Sequence, residues 1–386
     1  MDVSDALAQI DNHLSCPCQN WLLGAGVSLE AGIPLMTTLT TRIFALLDGK
    51  RAGPVITAIK NELPASAHIE HVLSQLIDYI TISERSRSGE IIIGGVTYTT
   101  EMLSNVHHDI LQVISDIVRW GYVPANPPEL EKQGSYDNPI VSVDDHLRFV
   151  KGLFVNRRAG LGNRRKSVKL FTTNYDTLIE DALALANVEY YDGFSGGAVA
   201  FWNHPFGTPD PEEKHDACVI KLHGSIDWRV GVGDLVRRVR LGDAYPVKRT
   251  SALIYPQASK YLATQRDPFA TQFDRLRRAL SSHNDNILGV CGYSFGDDHV
   301  NAEIQVCMQH AENKTTLLAF VNETAGKPPE VLEKWKSLPW GERVFVATDA
   351  RLFHGTEELM IAEPGKPLAW WTFRGLTKFL QDGTTA

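Results

Sequence analysis

Asn174 and His223 are the side chains in this sequence best suited to chemistry. Asn174 is neutral and carries a donor and an acceptor on one short arm, which suits it to hold a hydroxyl or a water in a single orientation. His223 exchanges a proton near neutral pH and can serve as a general base. Each closes a short apolar run, in Thr172-Thr173-Asn174-Tyr175-Asp176 and in His223-Gly224-Ser225. Singly, an asparagine after a strand is more often a turn former and a histidine more often packs or caps; it is the pair in matching context that points to chemistry. A third signature, Gly24-Ala25-Gly26 with Ser28 behind it, lets backbone N–H groups approach an anionic group such as a pyrophosphate. Two more, Gly292-Tyr293-Ser294 and Asn322, also follow apolar runs.

These signatures need elements to hold them. Asn20-Trp21-Leu22-Leu23, Val168-Lys169-Leu170-Phe171, residues 218–222, 287–291 and 317–321, and Val344-Phe345-Val346 read as short buried strands. Helical patterns alternate with them, as in residues 177–185, and that order predicts an α/β fold with a Rossmann-like, doubly wound parallel sheet. In such a sheet the carboxyl ends of the strands line one crevice, so five signatures at five strand ends would converge on one ligand. A helix is expected from about residue 38 to 47, and the periodicities of Ile69 to Ile80, Leu103 to Val118 and Leu147 to Phe154 mark three more. A hairpin is expected from Ile91 to Tyr98 around Gly94-Gly95, and Asn126-Pro127-Pro128 reads as a joint. The predicted organisation is a first part of the Rossmann-like domain over 1–48, a mainly helical insertion over 49–165, a second part over 166–329, and a C-terminal extension with oligomer contacts over 330–386.

A length of 386 residues with 43% apolar content provides ample core for a globular protein. The net charge of -8 argues against a general nucleic-acid footprint, and Arg157-Arg158 to Arg164-Arg165-Lys166 reads as a solvated loop. No stretch reaches the roughly 18 apolar residues that span a bilayer, and Met1 to Asp5 lack a basic leader. With five cysteines, an odd number without framework spacing, these features give a cytoplasmic expectation and no membrane partner. His68 with His71 and His107-His108 lack a completing carboxylate or cysteine, so no metal is expected.

The string Gly24 to Pro34 resembles the first NAD-binding motif of the sirtuin family. Thr173-Asn174-Tyr175-Asp176 resembles its Gln-Asn-Ile-Asp motif, His223-Gly224 its catalytic His-Gly, and Gly292-Tyr293-Ser294 and Val321-Asn322-Glu323 its later ribose- and adenine-side segments. The resemblance covers roughly residues 15–35 and 165–325. It implies catalytic roles for Asn174 and His223, and NAD-binding roles for Gly24, Ala25, Gly26, Ser28, Asp176, Gly292, Ser294 and Asn322. Asp176 would contact the nicotinamide amide or support Ser28.

Sirtuin deacylases carry a zinc module with two Cys-x-x-Cys pairs, and this sequence has no such pair; Pro34 is also followed by Leu35-Met36-Thr37 rather than by the deacylase residues. What remains is similar to sirtuin-like NAD hydrolases of bacterial antiphage defence, particularly in Gly292 to Asn301. That likeness implies a glycohydrolase that takes NAD as substrate and gives nicotinamide and ADP-ribose. It further implies a homo-oligomer under the control of a partner, a HerA-type hexameric ATPase serving that role for some members. Two alternatives stay open: a module that senses NAD or ADP-ribose without turnover, and an NAD-dependent protein deacylase.

Overall fold

Strand β1 (Gln19–Leu23) is buried along its whole length because it runs between two parallel neighbours with a helical layer on each face. In the computed structural model, which describes residues 3–126, 130–156, 166–203, 215–230, 235–240, 252–254 and 267–383, it lies inside a nine-stranded sheet. The other strands are β2 (Val168–Thr172), β3 (Tyr190–Tyr191), β4 (Ala217–Lys221), β5 (Asn286–Cys291), β6 (Thr315–Phe320), β7 (Val344–Ala347), β8 (Arg351–His354) and β9 (Glu357–Ile361). Their spatial order is β9-β8-β7-β6-β5-β1-β2-β4-β3. Strands β1 to β7 are parallel, and β8 and β9 close one edge as an antiparallel meander.

Side-chain alternation sorts the core into two layers. Trp21, Leu23, Leu170 and Val219 pack on one face with the helices Val3–Leu14, Asp144–Lys151, Leu178–Leu185 and Phe373–Asp382. Leu22, Phe171, Ile220 and Leu288 pack on the other with Phe269–Leu280, Asp298–Gln309 and Glu330–Lys336. The expected doubly wound sheet is therefore present. Trp370, fully buried and donating Nε1–H to the Thr348 carbonyl, belongs to the first layer.

Between β1 and β2 the chain builds the helices Met36–Leu47, Ala52–Glu62, Ile69–Arg85 and Thr100–Trp120. Strands Glu90–Ile93 and Val96–Thr99 form the expected hairpin, with Gly94 and Gly95 both at positive φ in its two-residue turn. The apolar core of these helices runs on into Ala31, Ile33, Tyr175, Leu178 and Ile226, so it is continuous with the segments that follow β1, β2 and β4. His68 and His71 cap the third of these helices, the His68 N–H donating to His71 Nδ1 at 3.2 Å. Among the described residues no helix is long and apolar enough to cross a membrane.

A purely parallel sheet is not the whole fold. A second, antiparallel sheet of five strands is built from Phe194–Gly196, Val199–Trp202, Gly224–Val230, Val236–Val239 and Ala252–Ile254. Its strand Gly224–Val230 starts immediately after His223, and the sheet has its own small core of Phe194, Ala200, Trp228, Val236 and Phe269. The arginines of the 157–165 run and the Pro127-Pro128 joint lie outside the described residues.

Candidate active site

Register brings the five signatures level. Leu23 lies beside Thr172 and Cys291, Thr172 beside Lys221, and Cys291 beside Phe320. Two residues beyond each of these strand ends stand Ala25, Asn174, His223, Tyr293 and Asn322, along one rim of the sheet. The connections after β1 and β5 depart in opposite directions, so the rim crosses the topological switch point where α/β sheets bind ligands.

The first loop is locked to the β5 end by backbone contact. Gly24 N–H donates to the Cys291 carbonyl at 3.0 Å and Gly26 N–H to the Gly292 carbonyl at 2.8 Å. A Cβ on Gly24 would lie 2.5 Å from the Gly292 oxygen, and one on Gly26 would lie 2.7 Å from Gly292 Cα. Only glycine fits at either place. The Gly24 and Gly26 amides are already used, and close approach of two chain segments accounts for the glycines.

Behind the loop, Ser28, Asn174 and Asp176 form a buried chain of hydrogen bonds. Asn174 Nδ2 donates to the Gly24 carbonyl and to Ser28 Oγ, each at 3.0 Å, and Ser28 Oγ donates to Asp176 Oδ2 at 2.8 Å. The other Asp176 oxygen accepts the Leu178 N–H at 3.1 Å, at the start of the helix Leu178–Leu185. With both Asn174 donors spent, its Oδ1 is left buried with no hydrogen bond. Such an acceptor costs about 1–3 kcal/mol until a donor meets it.

Tyr175 fixes the middle of the same segment. Its carbonyl accepts from Ile226 N–H at 3.0 Å and Ser225 Oγ at 3.2 Å, and its hydroxyl donates to Glu70 on the helix Ile69–Arg85. Burial and the Glu70 carboxylate push the phenol well above its ordinary pKa, so it remains a donor.

His223 is held by a residue that the sequence reading did not single out. Its Nε2 lies 2.9 Å from Asp297 Oδ2, both side chains being buried. Asp297 is also the N-cap of the helix Asp298–Gln309, Oδ1 accepting from the N–H groups of His299 and Val300. The helix N-terminus favours its negative charge, and the carboxylate in turn fixes the proton of His223 on Nε2, which makes Nδ1 the basic nitrogen. The turn before it is braced by Phe295, at a φ of 58°, whose carbonyl accepts Asn301 Nδ2 at 2.8 Å. The signal for Asp297 was an aspartate just before a helical run, which marks a cap and says nothing about a histidine on another strand.

Ser294 and Asn322 stand apart from this group. Both are exposed, Ser294 Oγ accepting Gly296 N–H at 3.3 Å, and Asn322 follows β6 on the far side of β5. From β4 to β6 the rim spans roughly 19 Å at 4.7–4.9 Å per strand. His299 is exposed in the first turn of its helix, while Asn301 is a buried brace, also accepting the Tyr293 hydroxyl at 3.0 Å. On the insertion side of Asp176 lies a cavity of about 390 Å³, walled by Val118, Val141, Leu178 and Ile226 and carrying Asp227 and Arg240.

A Rossmann-like sheet with a polar cluster at its switch point defines the class. Residues 168–339 match the family model of the SIR2-like domain, which supports a sirtuin-like relationship and NAD-related activity. The match includes Asn174, Asp176, His223, Gly292, Ser294 and Asn322; the Gly24 to Ser28 loop lies outside it and is joined to them by the hydrogen bonds above. No curated protein matches the chain.

Proposed function

We propose that this protein is an NAD glycohydrolase, cleaving NAD to nicotinamide and ADP-ribose. One observation carries the reading: Asn174, with its amide donors tied down and its Oδ1 unmet, stands level on the adjacent strand with a histidine oriented by a carboxylate. A rim of roughly 19 Å suits an extended dinucleotide rather than a mononucleotide. The nicotinamide–C1′ bond breaks with its electron pair going to the ring nitrogen, leaving an oxocarbenium-like ribose. Asn174 Oδ1 accepts from the attacking water or a ribose hydroxyl; the water oxygen bonds to C1′ as its proton passes to His223 Nδ1. The cavity beside Asp176 offers room for the leaving nicotinamide. Gly292, Ser294 and Asn322 form the ribose and adenine end of the proposed site, with Ala25 at the diphosphate.

The same resemblance supports an NAD-depleting role in antiphage defence, a cytoplasmic homo-oligomer, and control by a partner such as a HerA-type ATPase; a fully active monodisperse monomer in light scattering would count against that control. Incubation of the purified protein with NAD, with and without an acyl-lysine peptide, tests the reaction. Equal amounts of nicotinamide and ADP-ribose without peptide are expected. Binding without products, even with the partner present, would favour a sensor, and strict peptide dependence would favour a deacylase.

A further inference from the structure

Lys221 ends β4 two residues before His223, and its side chain is buried rather than solvated. A buried ammonium persists only with partners. Its Nζ donates to the backbone carbonyl of Asp176 and lies 3.4 Å from Glu180 Oε1, on the first turn of the helix Leu178–Leu185. The remaining Glu180 oxygen, Oε2, is buried and takes no hydrogen bond.

The consequence follows the chain of contacts. Asp176 O is held by Lys221, Asp176 Oδ2 by Ser28, and Ser28 Oγ by Asn174 Nδ2. Displacing Lys221 would release the Asp176 carbonyl and turn Asn174 through Ser28. We propose that Lys221 and Glu180 are positioning residues for the reaction, a buried ion pair that sets the height of the Asn174-to-Asp176 segment above the sheet. This rests on the hydrolytic reading above and adds two residues to it.

The pair also responds to pH. Burial pushes the Glu180 carboxyl up to about 7 against the opposing pull of Lys221 and Arg240, with Asp227 raising it further. Tyr190 on β3 faces Glu180 as well, and Asp181, next in sequence, shares Lys221, Arg240 and Asp227 as neighbours. Ionised Glu180 holds the Lys221 side chain by charge attraction, and neutral Glu180 loses that attraction. Turnover therefore rises as Glu180 loses its proton.

The test uses Lys221→Met with Glu180→Gln, which removes both charges together, and Glu180→Gln alone. Circular dichroism and thermal melting establish folding, and NAD affinity, kcat and pH profiles are measured for each. The double variant is expected to bind NAD within about threefold of wild type and to lose at least about tenfold in kcat, the signature of misplaced catalytic groups. Wild-type kcat should rise through neutrality as Glu180 loses its proton, and Glu180→Gln should abolish that step. A folded double variant with wild-type kcat overturns the proposal, as does a Glu180→Gln profile identical to wild type; if the double variant fails to fold, the Glu180→Gln profile decides. A wild-type protein that releases no nicotinamide overturns the hydrolytic reading itself, whereas loss of the Lys221 effect in an active enzyme overturns only the positioning role.

Discussion

His223 Nε2 and Asp297 Oδ2 lie 2.9 Å apart, joining the end of β4 to the N-cap of the helix after β5. One carboxylate thus orients the histidine and closes a helix. Asp297→Asn separates the two duties, because asparagine caps as well as aspartate but cannot stabilise an imidazolium. We expect only a small fall in melting temperature and a fall in kcat of about 10²–10⁴, as when a triad aspartate is neutralised. Asp297→Ala should lose about 1 kcal/mol of stability besides, read by urea denaturation.

Ser28 links the Asn174 amide to the Asp176 carboxylate. Removing its hydroxyl in Ser28→Ala leaves a buried carboxylate oxygen without that donor, at an expected cost of about 1–3 kcal/mol. Steady-state kinetics should show kcat falling more than NAD affinity.

Gly26→Ala places a methyl group 2.7 Å from Gly292 Cα, where backbone meets backbone and no side chain can yield. A loss of about 1–3 kcal/mol is expected, visible as a melting temperature lowered by several degrees. Ala25→Ser, one residue away on the exposed side of the loop, should leave the melting temperature unchanged.

His107 on the helix Thr100–Trp120 is pushed down to about 4 by burial, with His108 adding to the effect. Its unfolded form takes up a proton near pH 6.5 while the folded form resists until about 4, so the stability it contributes is complete above 6.5 and is lost as pH falls through that window. His107→Gln should flatten the stability profile between these values by about 1–3 kcal/mol, measured by denaturant titration at several pH values.

The sheet was legible because strands such as β1 and β6 are short, end in an apolar run and are soon followed by glycine or asparagine, the pattern that burial on both faces favours. The antiparallel sheet was not: Val236–Val239 carries Arg237 and Arg238 at half-buried positions, and Phe194–Gly196 is only three residues long. The helix Ala52–Glu62 was hidden by Gly53 and Pro54, which read as breakers although proline is tolerated in a first turn. Asn174, Asp176 and His223 could be picked out because each follows a strand end. Asp297 and Lys221 could not, since their partners are distant in sequence and only the sheet register makes them neighbours.

If Asn174 and His223 act together on one glycosidic bond, nicotinamide release by Asn174→Ala, His223→Ala and the double variant will show their coupling. Groups that work as a unit are not additive, so each single substitution should cost at least about 10²-fold in kcat and the double variant little more than the worse single one. Either single variant turning over NAD at the wild-type rate would contradict the account.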